Sequence, residues 1–249
     1  MALRVSAAAV THRGSVRDRN EDCLAVGTWI AQHSMDNARE FEGTLAQPFV
    51  CVLADGMGGH AAGERASRLA AGRLSEILAG AASGQVGPAI HRVNAAVYAE
   101  MKSSADLIGM GATLVGLHAD AAGTCIFNVG DSRAYRCEAA GLRQLSVDDS
   151  ADTSWKPGSL FARSGVLTQS LGGSPEFAPV TAHLTNVPTL PGDTYLLCSD
   201  GLYETLDEEQ IAELIGVDLK RSAEALLQSA LRHFSSDNLS IALIRISRN

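Results

Sequence analysis

Six acidic residues fall where an apolar run ends or begins. Asp55 follows the run at 49–54 (FVCVLA), Asp131 the run at 125–130 (CIFNVG) and Asp200 the run at 194–199 (TYLLCS). Asp237 precedes the last apolar run, and the adjacent pair Glu21 and Asp22 precedes Cys23-Leu24-Ala25-Val26. A single carboxylate in such a place is ordinarily a turn residue. Six together point elsewhere, because gathered carboxylates repel and raise one another's pKa unless a cation neutralises them. Oxygen ligands suit hard divalent ions such as Mg²⁺ and Mn²⁺. The seven His residues show no H-x-x-x-H spacing and the five Cys residues no C-x-x-C pair, so no nitrogen or thiolate set competes. Arg17 stands five residues before Asp22, and a guanidinium beside a cation cluster would grip a phosphate with its planar fork. The turn Gly56-Met57-Gly58-Gly59 lets backbone approach a ligand, but it matches neither nucleotide-binding glycine motif, which disfavours nucleotide binding.

The elements that would position these groups are legible as short runs. Phe49–Ala54, Thr113–Leu117, Cys125–Gly130, Thr194–Ser199 and Leu239–Ile246 have strand length and β-branched content. Amphipathic spacing predicts helices over Ala62–Leu78, Pro88–Met101, Asp207–Ile215 and Leu219–Phe234, with Pro88 opening the second and a Thr205/Glu208 capping box before the third. The stripes on these helices are expected to be core faces. Strands and helices do not alternate regularly, which favours an α+β fold with antiparallel sheet over a doubly wound parallel one. Asp148–Pro179 is rich in Ser, Gly, Asp and Pro and reads as a long loop.

Lys and Arg number 20 against 28 Asp and Glu in 249 residues, a net charge of −8. That balance disfavours binding to a nucleic-acid backbone, which needs a surplus of cations. An apolar fraction of 46% is that of a globular chain able to bury its own core. No run reaches the roughly 18 apolar residues of a membrane span, and the apolar part of the N-terminus is too brief for a signal peptide. Cys51, Cys125 and Cys198 sit inside apolar runs and read as reduced, buried thiols. A monomeric, cytoplasmic protein without a membrane partner is the expectation.

Six motifs occur in order: Arg17-x-x-Asn20-Glu21-Asp22, Ala54-Asp55-Gly56-Met57-Gly58-Gly59-His60, Gly109-Met110-Gly111-Ala112-Thr113-Leu114, Val129-Gly130-Asp131-Ser132-Arg133, Cys198-Ser199-Asp200-Gly201-Leu202 and Asp237-Asn238-Leu239-Ser240. Together they resemble the metal-dependent serine/threonine phosphatases of the PP2C (PPM) family, in its bacterial form. The resemblance implies a β-sandwich of two antiparallel sheets flanked by helices on both sides, in α-β-β-α layers. It implies one domain over 1–249, with a shortened flap around 148–179. It further implies two or three Mn²⁺ or Mg²⁺ ions. Asp55 would bridge two of them, with Glu21 and the Gly56 carbonyl completing one and Asp200 and Asp237 holding the other. Asp22 would lie close by and orient water, Asp131 would serve a third, weaker ion, and Arg17 would hold the substrate phosphate. The implied reaction hydrolyses phosphoserine or phosphothreonine in phosphoproteins by metal-activated water, opposing a Ser/Thr kinase. No phosphoenzyme is required, so Cys198 beside Asp200 need not be a nucleophile.

This chain departs from the family pattern in three places. Asp149 stands where Leu-Thr-x-Asp-His-Ser would carry its His, the flap from about 151 to 165 is short, and Met57 occupies the place of a His that follows Asp-Gly in animal members. The acid role is not transferred to His60. A non-catalytic phosphoprotein-binding protein and a hydrolase of small phosphomonoesters stand as the alternatives.

Overall fold

Along the strand Cys23–Val26 the side chains divide between two apolar layers, Leu24 and Val26 on one face and Cys23 and Ala25 on the other. The strand Phe49–Ala54 divides in the same way, with Cys51 and Leu53 opposite Val50, Val52 and Ala54. A pleated strand sends successive residues to opposite faces. Here both faces are covered, so the run reads as continuously apolar. The computed structural model describes residues 3–58, 61–151 and 166–248.

Two six-stranded sheets carry the fold. The first runs in the order Gly141–Gln144, Arg133–Glu138, Thr194–Cys198, Leu239–Arg248, Leu3–His12 and Arg39–Thr44. The second runs His183–Val187, Thr124–Val129, Leu114–Ala119, Phe49–Ala54, Cys23–Val26 and Trp29–Ala31. Every pairing within both sheets is antiparallel. Val5, Ala7, Tyr195, Leu197 and Ile244 of the first sheet meet Leu24, Leu53, Val115 and Ile126 of the second in one core. Helices α1 (Ala61–Leu78) and α2 (Val86–Met101) cover the outer face of the second sheet through Leu74, Ile90, Val93 and Val97. On the outer face of the first sheet lie α3 (Asp200–Tyr203), α4 (Glu208–Glu213) and α5 (Leu219–Arg232), packed through Leu202, Ile211, Leu226 and Ala230. The layering is α-β-β-α. Among the described residues no helix is long and apolar enough to cross a membrane.

Several elements differ from the sequence reading. Leu3–His12 forms a ten-residue strand in full register with Leu239–Arg248. Its Ala-rich middle carries little strand propensity, and burial between neighbours on both sides decides the outcome. The capping box of α4 belongs to Asp207 and Gln210, not Thr205 and Glu208: Gln210 N donates to Asp207 Oδ1 at 2.8 Å and Asp207 N to Gln210 Oε1 at 3.0 Å. Pro88 is the third residue of α2, still inside the first turn where its missing N–H costs no intrahelical bond. The stripe of α5 stops short of Phe234, which adopts φ 58° and is 80% exposed. Within the segment read as a loop, Ser150–Ala151 pairs with Val166–Leu167 and Leu171–Gly172 pairs with Gly111–Ala112. Residues 152–165, most of the short flap, lie outside the described residues, as do Gly59 and His60.

Register brings the chemistry to one rim. Cys23 pairs with Ala54, Leu53 with Val115 and Leu114 with Val129, so residues 22, 55, 113 and 131 leave the second sheet at the same end. In the first sheet Arg133 pairs with Cys198 and Cys198 with Ile241, which delivers residues 200 and 237 to that end as well.

Candidate metal centre

A cavity of about 510 Å³ opens at this rim, lined by Arg17, Glu21, Asp55, Gly56, Asp131, Asp200 and Asp237. Asp22 lies beneath it, fully buried. All eight residues singled out in the sequence therefore meet at one place, drawn from both sheets.

The floor is built from desolvated carboxylates. Burial pushes the Asp22 carboxyl up to about 7, against hydroxyl contacts that lower it. Ser199 Oγ donates to Asp22 Oδ2 at 2.8 Å, and Ser240 N holds Ser199 Oγ at 2.9 Å. Burial also lifts Asp55 well above the carboxylate range, reinforced by the charges of Asp22, Asp200, Asp237 and Asp131. Asp200 is lifted by burial and then by Asp237, Glu204, Asp131 and Asp22. Asp131 is raised by burial and by Asp148, with Arg133 opposing. Asp22 Oδ1 and Asp200 Oδ1 are buried without a hydrogen-bond partner among the described residues. An orphaned, desolvated carboxylate oxygen is costly. Two of them facing further carboxylates form a donor set that fits a divalent cation. Among the described residues no three acidic, His or Cys side chains close a ready-made cage around one ion. Hard ions that keep several waters and take one or two carboxylates each do not require one.

Glu21 is seated by close backbone approach. Gly56 N donates to the Glu21 carbonyl at 3.2 Å, and Ser67 Oγ donates to the same oxygen. A Cβ on Gly56 would lie 2.2 Å from the Gly63 carbonyl oxygen, and one on Gly63 would lie 2.2 Å from Glu21 Oε2. Only glycine at both positions lets α1 approach so near. Arg17 and Asp237, assigned separately to phosphate and metal, are paired with each other at 2.5 Å between Nη2 and Oδ2. The guanidinium remains 56% exposed and faces the cavity, free to turn to an anion there.

Supporting residues emerge that the sequence reading left without a role. Asn238 Oδ1 accepts from Glu21 N at 2.7 Å, while its Nδ2 donates to the carbonyls of Arg13 at 3.1 Å and Arg19 at 2.8 Å. Thr113 Oγ1 accepts from Asp55 N at 3.2 Å and contacts Ser132 Oγ at 2.7 Å. Arg133 forks onto Asp148 at 3.0 and 2.7 Å and lies 3.8 Å over the Tyr203 ring, whose hydroxyl donates to the Asp131 carbonyl at 3.0 Å. Asn238, Thr113, Ser132 and Arg133 stand inside the six motifs, which gave them a place but no role; Tyr203 stands in none.

Asp149 explains one departure from the family pattern. Its Oδ2 accepts from Gly130 N and Gln169 Nε2, both at 2.9 Å, and its Oδ1 meets His183 Nε2 at 2.8 Å. Gln169 also brackets Thr181, through Nε2 to the carbonyl at 2.9 Å and Oε1 from N at 2.6 Å. The carboxylate thus ties the Asp131 turn to the return of the flap, and an imidazole reaches it from the edge strand His183–Val187. Asp149→Ala leaves three donors without their acceptor and is expected to cost about 2–3 kcal/mol. In a thermal melt that appears as a fall of about 4–12 °C; an unchanged melt would remove Asp149 from this role.

Cys198 is fully buried, and desolvation drives its thiol well above the usual range, so it is no nucleophile. All five cysteines are free.

The family model described as Protein phosphatase 2C matches residues 34–243. The serine/threonine phosphatase stp of Listeria monocytogenes is 32% identical over 233 residues, 86% of this chain and 91% of the relative. The serine/threonine protein phosphatase PstP of Mycobacterium tuberculosis is 30% identical over 250 residues, 95% of this chain but 44% of that protein. The crystal structure of the PstP catalytic domain in complex with two manganese ions superposes with a TM-score of 0.77 at 30% identity, covering 99% of this chain and 100% of that one.

Proposed function

The chain belongs to the protein phosphatase 2C family as a metal-dependent serine/threonine phosphatase, and from that premise we propose that its acidic rim is the catalytic centre and that it opposes a Ser/Thr kinase. Residues 1–249 act in this reading as one catalytic domain, and its five free cysteines, four of them buried, suit a cytoplasmic location. The observation that carries the assignment is the gathering of Asp22, Asp55 and Asp200 at one rim, each raised by desolvation and by neighbouring acids, with the Oδ1 atoms of Asp22 and Asp200 unsatisfied by any described residue.

Mn²⁺ or Mg²⁺, two or three ions, supplies charge neutralisation for the transferred phosphoryl group and acidifies the attacking water. Asp55, Glu21, the Gly56 carbonyl, Asp200 and Asp237 would hold them, with Asp131 at a further position. Asp22, held by Ser199 through Oδ2 beneath the cavity, would orient the attacking water. Arg17 turns from Asp237 to the phosphate oxygens and orients the ester for in-line displacement.

The test is phosphate release from a phosphothreonine peptide with Mn²⁺, compared with small sugar phosphates. Turnover of the peptide, abolished by EDTA, is the expected result. Equal or better turnover of the sugar phosphates would move the assignment to a small-molecule phosphatase, and binding without turnover to a non-catalytic reader.

A further inference from the structure

The cavity at the metal edge does not end at Arg17. Arg17, Glu21 and Asn238 also border a second cavity of about 230 Å³, with Asp18 and Arg19. Asp18 and Arg19 in turn border a third of about 290 Å³, which continues past Arg13, His33 and Ser34. The three share lining residues, and we read them together as one groove leading away from the site. Of residues 13–19, Arg13, Arg17, Asp18 and Arg19 line it, in a chain whose net charge is −8.

These cations are exposed and weakly engaged. Arg13 makes no ion pair among the described residues, and Arg19 reaches Glu64 only at 3.9 Å. Their backbone, in contrast, is pinned. The Asn238 amide holds the carbonyls of both Arg13 and Arg19, and Arg13 N donates to Ser34 Oγ at 3.0 Å. The same side chain fixes Glu21 N at the metal edge, so the loop's register relative to the site is set by one residue. A held loop presenting unengaged guanidinium groups is suited to an anion at a defined distance from the reacting phosphate. Asp18, Glu21 and Glu64 also line the groove, three acids against three Arg; Arg17 and Glu21 belong to the metal edge and Glu64 faces Arg19, which leaves Arg13 as a guanidinium with no ion pair among the described residues.

The geometry points to a substrate subsite, formed by Arg13 and Arg19, for an anionic side chain of the phosphoprotein a few residues from the scissile phosphoresidue. This rests on the phosphatase reading above. A carboxylate of Asp or Glu and a second phosphoryl group share the chemistry.

The test uses the full chain with Mn²⁺ and four phosphothreonine peptides that differ at one flanking position: Glu, a second phosphothreonine, Ala or Lys. For the unsubstituted protein kcat/KM is expected to be about five- to tenfold higher for the anionic peptides than for Ala, and lower again for Lys. Which anion gains more identifies its source. The double variant Arg13→Ala, Arg19→Ala should erase this order and leave turnover of an aryl phosphate, too small to enter the groove, unchanged. A measurement without substitution is the salt dependence: the anion preference should shrink as ionic strength rises. Equal rates for all four peptides, a preference for Lys, or an order that survives the double variant would overturn the subsite. Anisotropy of the matching phosphonate peptides reads the same order as binding. If no peptide turns over, the phosphatase reading fails while the binding order still decides the subsite.

Discussion

Asp55→Asn leaves phosphopeptide turnover at least about a thousandfold below the unsubstituted protein, and it raises the melting temperature of the metal-free protein. Both effects have one origin. Asp55 is desolvated and faces the charges of Asp22, Asp200, Asp237 and Asp131, which together hold its carboxyl well above the ordinary range. An amide of the same shape removes that repulsion without opening a cavity, so the metal-free fold gains. The same change withdraws the anion from the centre of the cation site. Charge neutralisation by bound ions contributes several kcal/mol to such transition states, and each 1.36 kcal/mol is about tenfold in rate. Steady-state rates at saturating Mn²⁺ and melts in EDTA measure the two halves. A variant within tenfold of the unsubstituted rate, or one whose melting temperature falls in EDTA, would remove Asp55 from the centre.

The second large effect is an opposite pH response of the metal-free and metal-loaded protein. In the fold Asp22 titrates near 7 against an ordinary value of 3.8, because burial penalises its charged form. The folded protein therefore holds this proton more tightly than the unfolded chain does. Its contribution is complete below the unfolded value and is lost as pH rises through the folded one. Asp55 and Asp200, raised further, extend the loss upward. Melting temperature in EDTA should decline from about pH 5 to about pH 8. Ions bind the deprotonated carboxylates, so Mn²⁺ should restore stability most at the alkaline end. At a hundredfold excess over its dissociation constant the gain is about 2.7 kcal/mol, or about 5–10 °C for a chain of this size, and much less at about pH 5. A metal-free melt that rises over this window, or a Mn²⁺ shift independent of pH, would contradict the buried-carboxyl account.

Most of the candidate site was legible in the sequence, and the reason is local. Asp55, Asp131 and Asp200 each end an apolar run, Asp237 and Glu21–Asp22 each begin one, and strand ends in a layered antiparallel fold meet at few rims. The helices α1, α2 and α5 were likewise legible, since a period near 3.6 survives in any amphipathic segment. Leu3–His12 was not, because its Ala-rich run becomes a strand only through the partners that bury it on both sides. The α4 cap was misplaced by two residues, since Thr205/Glu208 and Asp207/Gln210 both satisfy the spacing and only backbone geometry chooses.

What the sequence determined by itself was the inventory: which residue types stand at the rim, their order, and the charge that disfavours a polyanion while permitting a cation. The tertiary structure alone decided how those residues are used. It paired Arg17 with Asp237, seated Glu21 against two glycines, hung the Arg13–Arg19 loop on Asn238, and gave Asp149 an imidazole from a strand 34 residues away. Each of those contacts joins segments far apart in the chain. Spacing along a sequence reports local periodicity and ends of elements, whereas the burial that raises a carboxyl and the partner that satisfies it exist only once the sheets are stacked.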